Sequence, residues 1–120
     1  MQTPTTPSGD QTLPLPFRNW IKTIYSWIKS RFRVVSVTGT YTVAEEVYLV
    51  LADATGGAFT VTLPSTTNRL GREIIIKRMN AGGNAVTLGG TIDGAVNPTL
   101  GAQYAYKRVL CDGINWNDVT

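Results

Sequence analysis

Histidine is absent from this 120-residue sequence and cysteine occurs once, at Cys111. One cysteine excludes an intramolecular disulfide, and without imidazoles or further thiols a zinc-type cluster has no ligands to draw on. Serine or cysteine triads lose their usual base for the same reason. The chain therefore reads as one made in a reducing cytoplasm, or one that does not rely on oxidation. No apolar run approaches the ~20 residues of a membrane span. The start of the chain lacks both the basic residues and the apolar stretch of a signal peptide. Acidic residues are also missing from one whole segment. Between Phe17 and Arg33 the charges are Arg18, Lys22, Lys29, Arg31 and Arg33, five positive and none negative. Against a total of +3, the rest of the chain is two net negative. The remainder is thus no basic platform, and no nucleic-acid partner is expected.

The eight acids are Asp10, Glu45, Glu46, Asp53, Glu73, Asp93, Asp112 and Asp118. Asp53, Asp93 and Asp112 lie in or beside glycine-containing turns, where side-chain hydrogen bonds to backbone are the ordinary explanation. A glycosidase pair such as Asp93 with Asp112 is the sharper alternative. Thr55-Gly56-Gly57 and Ala81-Gly82-Gly83-Asn84 lack the lysine and hydroxyl residue of a phosphate loop. Asp93-Gly94 lacks the further acids of a calcium loop. No catalytic residue, metal or cofactor is expected.

Residues 1–15 hold Pro4, Pro7 and Pro14 among threonines and serines, with Leu13 and Leu15 as the sizeable apolar side chains after Met1. Such a composition hides too little surface to offset ordering entropy, so a flexible arm is expected. Leu13 and Leu15 would serve as its pegs if it orders on a larger partner. From Pro16 to Arg33 the pattern becomes helical. Phe17, Ile21, Ile24 and Ile28 fall on one stripe, with Trp20 and Trp27 on one flank and Tyr25 and Phe32 on the other. In heptad terms isoleucine occupies both a and d positions, which favours trimers or tetramers over dimers. A lone helix this short is marginal in water, so the stripe needs cover. Self-association about a threefold axis, docking on the chain's own β-region or another protein, and an interfacial membrane helix are the three answers left open.

Residues 34–120 read as β-structure. Phe59, Val61 and Leu63 alternate with Thr60 and Thr62, the period of a strand with one buried face. Ile74-Ile75-Ile76 is β-branched throughout and points to both faces, so at least one isoleucine needs a second sheet or another subunit over it. Val35, Val37, Thr42 and Val43 indicate one or two short strands broken near Gly39, and Val47 to Leu51 is a further apolar run. Turn signals fall at 55–57, 80–84, 89–90, 93–94 and 112–113. Val-Thr-Leu occurs at 61–63 and again at 86–88, about a solenoid repeat apart, but two copies of a common β tripeptide are weak evidence for a repeat. Lys77-Arg78 and Lys107-Arg108 read as solvated edge charges, with a polyanion contact as the alternative. Cys111 reads as a small buried side chain. Tyr104 and Tyr106 share a face at strand spacing and join Trp116 as core or subunit-interface aromatics, or as a carbohydrate or receptor platform.

Several of these segments together resemble a β-rich module of tailed-phage head-decoration, head-fibre, tail-fibre and spike proteins. They are Val-Tyr-Leu-Val-Leu-Ala-Asp-Ala-Thr-Gly-Gly at 47–57, Val-Thr-Leu-Pro at 61–64, Gly-Arg-Glu-Ile-Ile-Ile-Lys at 71–77, Asn-Ala-Val-Thr-Leu at 84–88, Thr-Ile-Asp-Gly at 91–94 and Cys-Asp-Gly-Ile-Asn-Trp at 111–116. The resemblance implies a trimeric virion component without a catalytic site. The expectation is then a mainly β protein, a small antiparallel sandwich, barrel or prism forming a homotrimer, preceded by one amphipathic helix (16–33) and a flexible Pro/Thr-rich arm (1–15). Its partners would be itself and a capsid or tail protein. The arm and helix would attach it to the virion as a capsid decoration or head fibre. The alternatives are a receptor-binding tip or spike that contacts a host surface receptor, and a membrane-surface protein acting through the Trp-rich helix. The helix stripe and the isoleucine strand are expected to need other copies of the chain for cover.

Overall fold

A computed structural model describes residues 19–24 and 32–120. The chain divides into two units, Met1–Ser30 and Arg31–Thr120. In the first, residues 19–24 are helical, and Thr23 Oγ1 donates to the Asn19 carbonyl one turn back. The arm and the rest of the expected helix lie outside the described residues, apart from Phe32 and Arg33. These two belong to the β-unit: Phe32 sits in a turn and Arg33 opens the first strand.

The second unit holds eleven strands: β1 (Arg33–Val37), β2 (Tyr41–Thr42), β3 (Val47–Ala52), β4 (Phe59–Thr62), β5 (Glu73–Arg78), β6 (Val86–Gly89), β7 (Thr91–Ile92), β8 (Ala95–Val96), β9 (Thr99–Leu100), β10 (Tyr106–Cys111) and β11 (Trp116–Asp118). They form a seven-stranded sheet in the order β1-β3-β5-β10-β11-β7-β8 and a four-stranded sheet in the order β2-β4-β6-β9. The first six strands alternate between the sheets. Within the larger sheet β1, β3 and β5 run parallel, and within the smaller one β2, β4 and β6 do too. Each pair of consecutive strands is one rung of a short coil, and three rungs stack. The last part of the chain then closes the coil with antiparallel pairs, β9 on β6, β10 on β5 and β11 on β10.

The chain is mainly β, as expected; of the antiparallel sandwich, barrel or prism expected, the structure has the two layers of a sandwich, and the antiparallel arrangement is corrected to mixed sheets with a parallel centre. The two Val-Thr-Leu segments belong to neighbouring rungs, and β4 and β6 pair in parallel. Their partners are slipped by two residues, however. Phe59 pairs with Val86 and Val61 with Leu88, so the structural offset is 27 residues where the tripeptides are 25 apart. Between the first two rungs of the larger sheet the offset is 15, as in Val35 with Val50. Loops of unequal length leave no fixed period, because stacking needs strands ~4.8 Å apart and places no demand on the chain between them.

One core lies between the layers. Val50, Ile74, Ile76, Val109 and Cys111 of the larger sheet meet Val61, Val86, Leu88 and Leu100 of the smaller, all buried. Ile74 and Ile76 are fully buried within a single subunit. The demand that the isoleucine strand be covered by another copy thus shrinks to Ile75, on the opposite face and only half-buried.

Two arginines are part of this interior. Arg78, the last residue of β5, is 1% exposed, and its guanidinium donates to the carbonyls of Leu100 (3.3 Å) and Gly82 (2.5 Å). The solvated edge charge expected at 78 is in fact a clamp on two backbone segments. Arg72, also buried, donates to the carbonyls of Ala44 and Val47. Lys107 and Arg108 are not free edge charges either. Lys107 pairs with Asp118 at 2.9 Å and Arg108 with Glu73 at 2.5 Å.

Candidate functional site

The outward faces of the two sheets differ in chemistry. On the four-stranded sheet the side chains pointing away from the core form threonine rows, Thr60 beside Thr87 beside Thr99, and Thr42 beside Thr62. That face carries no charge and no large apolar group in its rows, and is an ordinary wet face of a sheet.

The outward face of the seven-stranded sheet is apolar and aromatic. Register places Val34, Leu49 and Ile75 in one row across β1, β3 and β5, ending at Arg108 on β10. The next row is Ser36, Leu51, Lys77 and Tyr106. Val34 is 52% exposed and Tyr106 49%, while Leu49, Leu51 and Ile75 are half-buried. A bulge at the start of β3 shapes one border. Pairing jumps from Arg33 with Val47 to Val34 with Leu49, so Tyr48 is the extra residue. The Phe32 ring packs edge-on against Tyr48 with centroids 5.5 Å apart.

Tyr48, Glu73 and Arg108 are paired with one another on this face. The Tyr48 hydroxyl donates to Glu73 Oε1 at 3.0 Å and Arg108 Nε donates to the same oxygen. Burial pushes the Tyr48 phenol up, and the hydrogen bond to Glu73 and that carboxylate's charge add to the shift, against the opposing Arg108 cation. The Lys77 ammonium lies 5.4 Å from the centroid of the Tyr104 ring.

Of the aromatics read from sequence, Tyr104 and Tyr106 are brought together around Lys77. They do not share a strand, since Tyr104 sits in the turn before β10 with φ +66°. Trp116 is separated from them. It is 4% exposed, packed in the core, and its indole N–H donates to the Pro64 carbonyl at 3.1 Å. It forms the inner wall of a cleft of about 300 Å³ shared with Leu63, Thr91 and Ile114. Of the helix residues, Trp20, Ile21 and Ile24 are exposed, at 58%, 36% and 37%. Phe17, Trp27 and Ile28, and the arm residues Leu13 and Leu15, lie outside the described residues. Sequence reasoning passed over Val34, Leu49 and Leu51. Their signal was present in the unbroken apolar run at 47–51, since a strand apolar at consecutive positions shows an apolar side chain on both faces.

Among the described residues, Asp53, Asp93 and Asp112 are engaged in local structure. Asp53 Oδ1 accepts the Thr55 hydroxyl and amide, which hold its carboxyl below the usual range. Asp112 Oδ1 accepts the amides of Asn115 and Ile114 and Oδ2 the Asn117 side-chain amide, again lowering its pKa. A general acid for glycoside cleavage needs the reverse shift. Asp93 Oδ1 accepts the Asp118 amide at 3.2 Å. Cys111 is buried, as its sequence context indicates. Among the described residues no three acids or thiols cluster as a metal site, and no helix is long and apolar enough to cross a membrane. Comparison with protein-family models and with curated proteins finds no match.

Proposed function

We propose that this chain is a non-enzymatic structural protein of a phage virion, a homotrimeric capsid-decoration or head-fibre component attached through its N-terminal arm and helix. One observation carries the reading. The segments on which the resemblance to phage modules rests are the building parts of the rungs and corners: 47–57 contains β3 and its following turn, 61–64 the end of β4, 71–77 most of β5, 84–88 most of β6, and 111–116 the β10–β11 hairpin. A likeness made of framework residues supports a shared scaffold, and the acids that might have argued for catalysis serve turns and ion pairs.

The reading is tested on purified particles and on particles lacking the protein. Decoration predicts capsid-level stoichiometry, lower heat and osmotic stability when the protein is missing, and unchanged adsorption. Lost adsorption with sound particles would move the assignment to a receptor-binding tip. Absence of the protein from purified particles would overturn both. Attachment through the helix further predicts that Ile24→Asp, at an exposed position of residues 19–24, reduces incorporation into particles.

A further inference from the structure

We propose that copies of this chain meet through the outward face of the seven-stranded sheet, centred on Leu49 and Ile75, so that the β-module and not the helix holds the trimer together. This rests on the homotrimer reading above and names the surface that reading requires.

The molecule contains its own comparison. Both sheets have an outward face; one is lined by threonines, and the other carries Val34, Leu49 and Ile75 in one row with Leu51 and Tyr106 in the next. Parallel strands are ordinarily covered on both faces. Here β1, β3 and β5 are covered on the inner face by the smaller sheet, and in the apolar row on the outer face Val34 is half exposed.

Charge on the face points to a second copy as the occupant. Glu73 is neutralised within the subunit by Arg108 and receives the Tyr48 hydroxyl, so covering it strands no carboxylate. Lys77 makes no ion pair among the described residues, and it already lies against an aromatic ring, Tyr104. Another copy presents to it the same kind of group, the rings of its own Tyr104 and Tyr106. Nucleic acid would call for an excess of cations, which the Glu73–Arg108 pair removes. Geometry suits a ring. Val34 lies at the β1 edge, and Arg108 of the same row lies on β10, three strand spacings or about 14 Å away. Rotation about an axis near Ile75 sets the β1 side of one copy against the β10 side of the next. Such a head-to-tail contact closes when the rotation is threefold.

The test uses the full-length chain in dilute buffer, with mass from light scattering and folding from circular dichroism and thermal melting. Wild type is expected at three times the chain mass. Val34→Glu, Leu49→Glu and Ile75→Lys are each expected to fall to one chain mass, whereas Thr60→Lys on the threonine face and Ile24→Asp in the helix stay trimeric. Val34 decides the matter if the half-buried positions fail to fold, because its side chain is already half in water. A trimer that survives Val34→Glu and either folded variant at Leu49 or Ile75 overturns the proposed face and leaves the homotrimer standing. A monomeric wild type overturns the homotrimer, and the face with it.

Discussion

The Asp118 carboxylate sits 2.9 Å from the Lys107 ammonium and accepts both the hydroxyl and the amide of Thr120. The hydrogen bond from Lys107, then those from Thr120, hold its pKa down to about 2. An unfolded aspartate titrates near ~3.9, so the folded state binds fewer protons across the interval between. The stabilisation is complete above about pH 4 and is lost as pH falls toward about 2. Urea midpoints measured from pH 5 to pH 2 should therefore fall less steeply for Asp118→Asn than for wild type; equal slopes would show that this carboxylate is not the coupled group. Arg78 poses a different residue-scale problem. A guanidinium buried without a carboxylate is costly, and its Nε has no partner among the described residues. What offsets that cost is geometry: two carbonyls from separate segments, Leu100 and Gly82, converge on its two terminal nitrogens.

At the scale of elements, stacked rungs depend on how closely neighbouring strands approach. Gly89 closes β6 opposite Thr62 of β4, and a Cβ there would lie 2.9 Å from Thr62 Oγ1 and 3.2 Å from the Thr62 backbone. Gly89→Ala is accordingly expected to lower unfolding free energy by about 1–3 kcal/mol through overpacking. Gly83→Ala, in open space within the 79–85 connection, is expected to change it by less than ~0.5 kcal/mol. Urea unfolding of the two variants checks this, and equal effects would mean that rung spacing does not limit the site. The β7–β8 hairpin shows the opposite use of glycine. Asp93 and Gly94 both have positive φ, 50° and 81°, as a two-residue turn of the twisted-hairpin type requires, and Ile92 pairs with Ala95 across it.

For the molecule as a whole, the β-unit Arg31–Thr120 carries its own core, drawn from both sheets. A fragment of residues 31–120 is expected to unfold in one cooperative transition and, if the outer sheet face holds the assembly, to keep the oligomeric state of the full chain. Light scattering on the two proteins side by side is the measurement. A monomeric fragment beside a trimeric full chain would return the seam to the helix stripe of Phe17, Ile21, Ile24 and Ile28.

Local chemistry was legible in the residues alone. Alternation at Phe59 to Leu63, the turn signals and the acids beside glycines are properties of a few consecutive residues, and strands and turns stand where those residues put them. The burial of Cys111 was legible for the same reason. Strand direction was not, because parallel and antiparallel neighbours draw on the same β-branched residues, and the choice lies with the connections between sheets. Nor were the buried Arg78, the isolation of Trp116 from Tyr104 and Tyr106, or the row from Val34 to Ile75. Each depends on which rung lands beside which. Side-chain type and spacing dictate what a strand can offer on its two faces; only the stacking of rungs decides which of those faces is buried in the core between the sheets and which turns outward.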